Sequence, residues 1–192
     1  VPSDLFSADR YRIRRKFWKV FGASFHVYGP DGALLAYSKQ KAFRLREDVR
    51  VYADEAMASP LLSIQARQIV DFSAAYDVVD ARTGTKVGAA RRKGFASLLR
   101  DSWEVLDEQD RFVARVREDS TGLALLRRFL TNLVPQSFRV EDGSGAEVAR
   151  FRQRWNPVVY SLEVAIPSSC PVDRRLLFGV AVLLAAVEGR QS

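Results

Sequence analysis

The sequence predicts a mainly β domain: an antiparallel barrel of about twelve strands enclosing a hydrophobic C-terminal helix. Three observations carry that prediction. Four segments repeat one hairpin pattern, twelve consecutive residues at 176–187 are uncharged and leave no polar face at any helical phase, and no linker rich in Pro, Gly or Ser divides the 192 residues. A helix that is apolar all round has to be buried inside something. A long antiparallel sheet hides its edges by closing on itself. A barrel wrapped round the helix meets both needs.

In chain order, residues 1–10 are read as a short lead and 11–192 as one barrel domain. Polar and acidic residues near the start argue against a signal peptide, which needs a positive region followed by an apolar run; no export signal is expected, and a cytoplasmic location, peripheral at a membrane, is. The first strand is expected at 11–18. The repeat then appears as an aromatic, a valine two residues later, a turn, and an apolar-small pair ten or eleven residues after the aromatic. Its four copies are Phe25-His26-Val27 with Leu35-Ala36, Tyr76-Asp77-Val78 with Val87-Gly88, Trp103-Glu104-Val105 with Val113-Ala114, and Phe138-Arg139-Val140 with Val148-Ala149. The turns between them are rich in Gly and Asp, which tolerate positive φ or bond their own backbone. Period-two alternation within these runs buries one face and solvates the other. Further strands are expected at 49–53, 61–67 and 158–164, and short helical patches at 94–99 and 122–132. The repeat suggests two similar halves joined near 94–101.

The C-terminal helix is expected over 171–188, with Ser169 as its cap, Pro171 and Asp173 in its first turn, and Gly189 just past its end. The apolar run would be about 18 Å long as a helix, against about 30 Å of bilayer hydrocarbon, so it is too short to cross unaided.

Four segments stand in a distinctive order: the hairpin from Tyr76 to Gly84, the basic return Gly88-Ala89-Ala90-Arg91-Arg92-Lys93, the run Arg100-Asp101-Ser102-Trp103-Glu104-Val105, and the tail from Asp173-Arg174-Arg175 to Glu188-Gly189-Arg190. Together they resemble the LURP-one-related and phospholipid scramblase-like proteins. It covers roughly residues 10–190. It implies the tubby C-terminal-like fold, twelve strands around a hydrophobic C-terminal helix. For function it implies a range: tubby domains bind phosphoinositides, scramblases are associated with calcium-dependent lipid movement, and many LURP-one-related members have no established activity. Animal scramblases carry a Pro-rich N-terminal segment, a Cys cluster for palmitoylation and an acidic calcium-binding stretch before the helix. This sequence has one Cys and only Pro167-Ser168-Ser169-Cys170-Pro171 before the helix, and no Pro-rich extension is expected.

Charge points to anionic partners. Thirty Lys and Arg against 23 Asp and Glu give +7, which suits phospholipid headgroups or nucleic acid. The candidate anion- or lipid-binding residues are Arg14, Arg15 and Lys16 in the densest cationic-aromatic run, Arg91, Arg92 and Lys93 on one return strand, and Arg150, Arg152 and Arg154, which alternate and so project from one strand face. Lys39, Lys41, Arg115 and Arg117 are further cations on return strands. The alternative reading of all of them is a solvated outer wall balanced by acids such as Asp77, Glu104 and Glu141. The segment around Leu123, Leu126, Phe129 and Leu130, with Arg127 and Arg128 at its margin, reads either as a helix in a headgroup layer or as a barrel plug.

No enzyme is expected. The one Cys excludes an internal disulfide and a Cys-based zinc site. No motif ties His26, the single histidine, to a nucleophile or carboxylate, so it reads as structural or exposed. Cys170 reads as a small packing residue. The acids at 107–110 and 118–119 lack the pattern of a calcium loop and read as solvated turns. There is no phosphate-cradling Gly-rich loop and no Gly-x-Ser-x-Gly, and no cofactor or metal is expected. The expected function is a binding or membrane-tethering protein that recognises anionic phospholipid headgroups. A nucleic-acid- or protein-binding scaffold, or lipid scrambling itself, are the alternatives.

Overall fold

The computed structural model describes residues 5–18, 22–40, 48–67, 75–92, 102–119, 135–154, 156 and 159–188. The expected helical patches at 94–99 and 122–132, the junction at 94–101, and Lys19, Lys41, Lys93 and Gly189 lie outside the described residues. The twelve strands are β1 (Arg10–Trp18), β2 (Gly22–Tyr28), β3 (Leu34–Gln40), β4 (Asp48–Tyr52), β5 (Pro60–Ala66), β6 (Ala75–Asp80), β7 (Thr85–Arg92), β8 (Ser102–Leu106), β9 (Phe112–Glu118), β10 (Ser137–Asp142), β11 (Glu147–Arg154) and β12 (Tyr160–Ala165), followed by helix α1 (Arg174–Glu188). Each strand pairs antiparallel with its chain neighbours, and β1 pairs with β12 to close the barrel.

The repeated sequence pattern has one structural meaning. In all four copies the valine lies opposite the small residue: Val27 with Ala36, Val78 with Gly88, Val105 with Ala114 and Val140 with Ala149. The register then shifts immediately after the valine, so the apolar residue of the pair is the extra residue of a β-bulge. Bulges increase local twist and bend, as a closed wall needs. The four turns each place one residue at positive φ, Gly32, Gly84, Asp110 and Gly145. An aspartate caps each: the Asp31 and Asp142 carboxylates accept the amides of Ala33 and Ala146, while Asp80 and Asp107 accept those of Arg82 and Gln109. A fifth unit, β4–β5, shares the bulge after Val51.

The helix fills the interior. Leu177, Phe178, Val180, Ala181, Leu184, Ala185 and Ala186 have no exposed surface, and Leu183 is 1% exposed. Around them stand Phe25, Trp103, Phe138 and the four repeat valines, all buried. Burial of each such large side chain stabilises by about 1.5–3 kcal/mol. Among the described residues no helix is long and apolar enough to cross a membrane, which says nothing of strands.

The helix begins three residues later than expected. Asp173, not Ser169, is the cap: its Oδ1 accepts the Arg175 amide at 2.8 Å, the bond a cap residue makes to the second helical amide. The Arg174 guanidinium donates to the carbonyls of Phe6 and Ala8 at 2.8 and 2.6 Å. Arg175 reaches Asp80 Oδ2 at 3.2 Å. The Asp-Arg-Arg run thus ties the helix start to the N-terminal segment and to the end of β6. Cys170 packs half-buried against the core, and burial pushes its thiol up.

Candidate anion-binding site

On β1–β3 the core takes Ile13, Phe25, Val27 and Ala36, so alternation turns Arg14, Lys16, Ser24, His26, Tyr37 and Lys39 to the outer wall. The register gathers them. Ser24 lies between Lys16 and Lys39, and His26 lies between Arg14 and Tyr37. The turn after β4 brings Glu55 alongside, completing a cleft of about 370 Å³ lined by Lys16, Ala23, Ser24, His26, Tyr37, Lys39 and Glu55.

His26 is the fixed point of this cleft. Its ring stacks on Tyr28 at 6.3 Å between centroids and meets the edge of Tyr37 at 5.1 Å. Its Nε2 is 2.7 Å from Glu55 Oε1. A carboxylate only accepts, which assigns the proton to Nε2. Burial and the neighbouring Glu55 charge push the Tyr37 phenol above its ordinary value, against a hydrogen bond with Ser24 that works the other way. Tyr37 is therefore neutral at neutral pH and does not cancel the lysines. Arg14, Lys16 and Lys39 make no ion pair among the described residues, so Glu55 is the one carboxylate lining a cleft with two lysines.

The other candidate residues stand in different company. Arg15 points into the barrel wall, 2% exposed, with its guanidinium 5.4 Å from the Phe25 centroid. It is thus not on the outer surface with Arg14 and Lys16. Arg91 donates to Glu104 at 2.7 Å, and Arg92 lies over Trp103. Both are on β7, six strands from β1 in either direction round the barrel, so they do not converge with Lys16. Arg150, Arg152 and Arg154 do share the outer face of β11. Arg150 holds Glu147 at 2.5 Å and Arg154 holds Glu163 at 2.6 Å, while Arg152 is exposed. Arg154, Ser161, Arg14 and His26 form one row across β11, β12, β1 and β2, so this ladder borders the cleft from about 10 Å away.

Neutralisation is the rule elsewhere on the wall. Arg67 bridges Asp77 and Asp110, each at 2.5 Å, and Lys86 joins Asp110 at 2.8 Å. Arg117 is paired with Glu141 and Arg139 with Asp119. Among the described residues no group of His, Cys, Asp or Glu could hold a metal ion. Ser24, Tyr37 and Glu55 escape a motif search because they come from three separate segments. The usable signal is lysine placement: four of the six lysines, Lys16, Lys19, Lys39 and Lys41, fall within the first 41 residues.

A family model described as LURP-one-related matches residues 34–185, from the start of β3 into the last turn of α1. It takes in Tyr37, Lys39 and Glu55, while Lys16, Ser24 and His26 precede it. No curated protein matches the chain.

Proposed function

The chain belongs to the LURP-one-related family, and from that premise we propose that it is a non-enzymatic binding protein, peripheral at a membrane, whose β1–β3 wall takes the phosphate of an anionic phospholipid headgroup. One observation carries the reading: Lys16 and Lys39 flank Ser24 without ion pairs among the described residues, whereas Arg91, Arg150 and Arg154 on the other strands each hold a carboxylate. Lysine offers a phosphate a compact charge and rotatable donors, and Ser24 and Tyr37 add hydroxyls to the same cleft. Arg14 widens the field along the row beside it.

Co-sedimentation with vesicles tests the reading. Phosphatidylserine–phosphatidylcholine vesicles should pellet the protein, phosphatidylcholine alone should not, and salt should weaken the association. Each lysine near an anionic surface contributes about 1 kcal/mol. Reversing both, Lys16→Glu with Lys39→Glu, removes two attractions and adds two repulsions, a loss of about a thousandfold in affinity. Equal, negligible binding to both vesicle types at low salt overturns the proposal. So does a salt-dependent mobility shift of DNA without vesicle binding, which would assign the cleft to nucleic acid.

A further inference from the structure

The lysine cleft already contains an anion. Glu55 lies on the irregular stretch between β4 and β5, its side chain 62% exposed, yet its Oε1 sits 2.7 Å from His26 Nε2. The two partners differ in freedom. His26 is 7% exposed and held by Tyr28 and Tyr37, so the imidazole keeps its place. Glu55 is a long side chain on a turn whose backbone is fixed at both ends, by Ala53 N–H to the Ser59 carbonyl and Met57 N–H to the Asp54 carbonyl. Its carboxylate can leave by a rotamer change alone.

Resting on the reading above, we infer that Glu55 is a built-in competitor: its carboxylate occupies the anion seat of the cleft, and an entering phosphate group displaces it and takes the same His26 N–H. The physical grounds are the chemistry of the exchange. One hydrogen bond to a side chain that is itself 62% exposed contributes modestly, and Glu gives up considerable rotamer entropy to hold one position. A phosphate brings more acceptor oxygens than a carboxylate and meets Lys16 and Lys39 at the same time. Three features make the seat: a buried N–H donor of fixed orientation, two lysines without carboxylate partners among the described residues, and an acidic side chain standing where the ligand belongs. Glu55 thereby sets a threshold, so that only a surface or ligand dense in phosphate opens the cleft.

The test uses Glu55→Gln, with Asp54→Asn as a control that makes the same charge change one residue away on the same exposed turn. Trading a charged for a neutral acceptor weakens the internal bond, so Glu55→Gln should bind phosphatidylserine vesicles about fivefold more tightly than the unmodified protein. Asp54→Asn should change binding much less. His26 is the only histidine, so its imidazole resonances report the seat without ambiguity. Titrated with inorganic phosphate, they should move at lower phosphate in Glu55→Gln than in the unmodified protein. If the unmodified protein binds vesicles and Glu55→Gln binds no more tightly, or Asp54→Asn tightens binding equally, the competitor is overturned and the headgroup reading stands. If no variant binds vesicles but phosphate still moves His26 more readily in Glu55→Gln, the headgroup reading falls and the exchange stands for free phosphate. Resonances indifferent to phosphate in both proteins overturn the seat itself.

Discussion

At Gly88 a strand, its neighbour and the helix approach closely, and substitution there gives a sharp test of the barrel. A Cβ added there would lie 2.4 Å from the Leu106 carbonyl oxygen and 2.6 and 2.9 Å from the two methyl carbons of Leu176. The first is backbone of β8, whose ladder pairs Leu106 with Ala89, so it cannot swing aside as a side chain would. The second belongs to the helix, where Leu176 is 1% exposed. Val78, directly opposite Gly88, is itself pressed against the helix: a Cβ at Gly179 would meet Val78 Cγ1 at 2.8 Å. Two glycines therefore bracket one valine. Overpacking costs about 1–3 kcal/mol, and the reduced freedom of the unfolded chain returns about 0.4–1 kcal/mol for Gly→Ala. With a backbone oxygen in the clash, Gly88→Ala should cost about 2 kcal/mol, lowering Tm by about 4–8 °C in a chain of this size. Urea unfolding followed by tryptophan fluorescence measures it, with Trp103 a buried reporter. Gly143→Ala, with nothing within 4 Å of the added atom, should stay within about 0.5 kcal/mol of the unmodified protein. A Gly88→Ala protein as stable as that control would refute the packing argument.

Two further outcomes follow from the interior and its fastening. Leu183→Asp puts a carboxylate into an apolar core at 1% exposure, which costs several kcal/mol; circular dichroism should show loss of the cooperative transition, and a soluble, folded variant would mean that the helix is not enclosed. Burial works to raise the Asp80 carboxyl, but hydrogen bonds from Arg82 and then Arg175 outweigh it and hold the carboxyl below its ordinary value. A depressed carboxyl contributes stability that is fully present above its unfolded pKa, about 3.9, and is lost as pH falls through the folded value. Asp80→Asn should therefore flatten the fall in urea midpoint below about pH 4, and an unchanged acid profile would show that the Arg82 and Arg175 contacts to this carboxylate together add nothing.

How much of this was legible depends on the range of the interaction. The four hairpins were readable because turn chemistry and alternation are local, and the helix was readable because an all-apolar run has one resting place. The β4–β5 unit escaped the repeat because Val49 stands where the others carry an aromatic, and Leu62 pairs with Val51 where the others use Gly or Ala; its strands still showed their alternation. The helix start was misplaced because Ser169 and Asp173 are both good caps, and only the reach of Arg174 and Arg175 to Phe6, Ala8 and Asp80 selects the later one. The depth of Arg15 was hidden because basic residues on both sides of it, Arg14 and Lys16, mask the inward phase shared by Tyr11 and Ile13.

The cleft was the least legible part, for a reason built into the architecture. A barrel whose interior is filled by its own helix leaves its outer wall and ends to carry polar chemistry, and on such a wall a charged residue identifies nothing until its cross-strand neighbours are known. Arg91 on β7 lies opposite Glu104, Glu104 opposite Arg115 on β9, and Arg115 opposite Glu141 on β10, so that row of two cations and two acids neutralises itself. Lys16 on β1 lies opposite Ser24, which lies opposite Lys39 on β3, so that row does not. Outward-facing cations alternate along the strands of both rows; what the register sets opposite them, Glu104 in one and Ser24 in the other, separates a balanced surface from one that attracts an anion. The Glu55 turn then adds a single carboxylate at His26, which is enough to occupy one seat and too little to cancel two lysines.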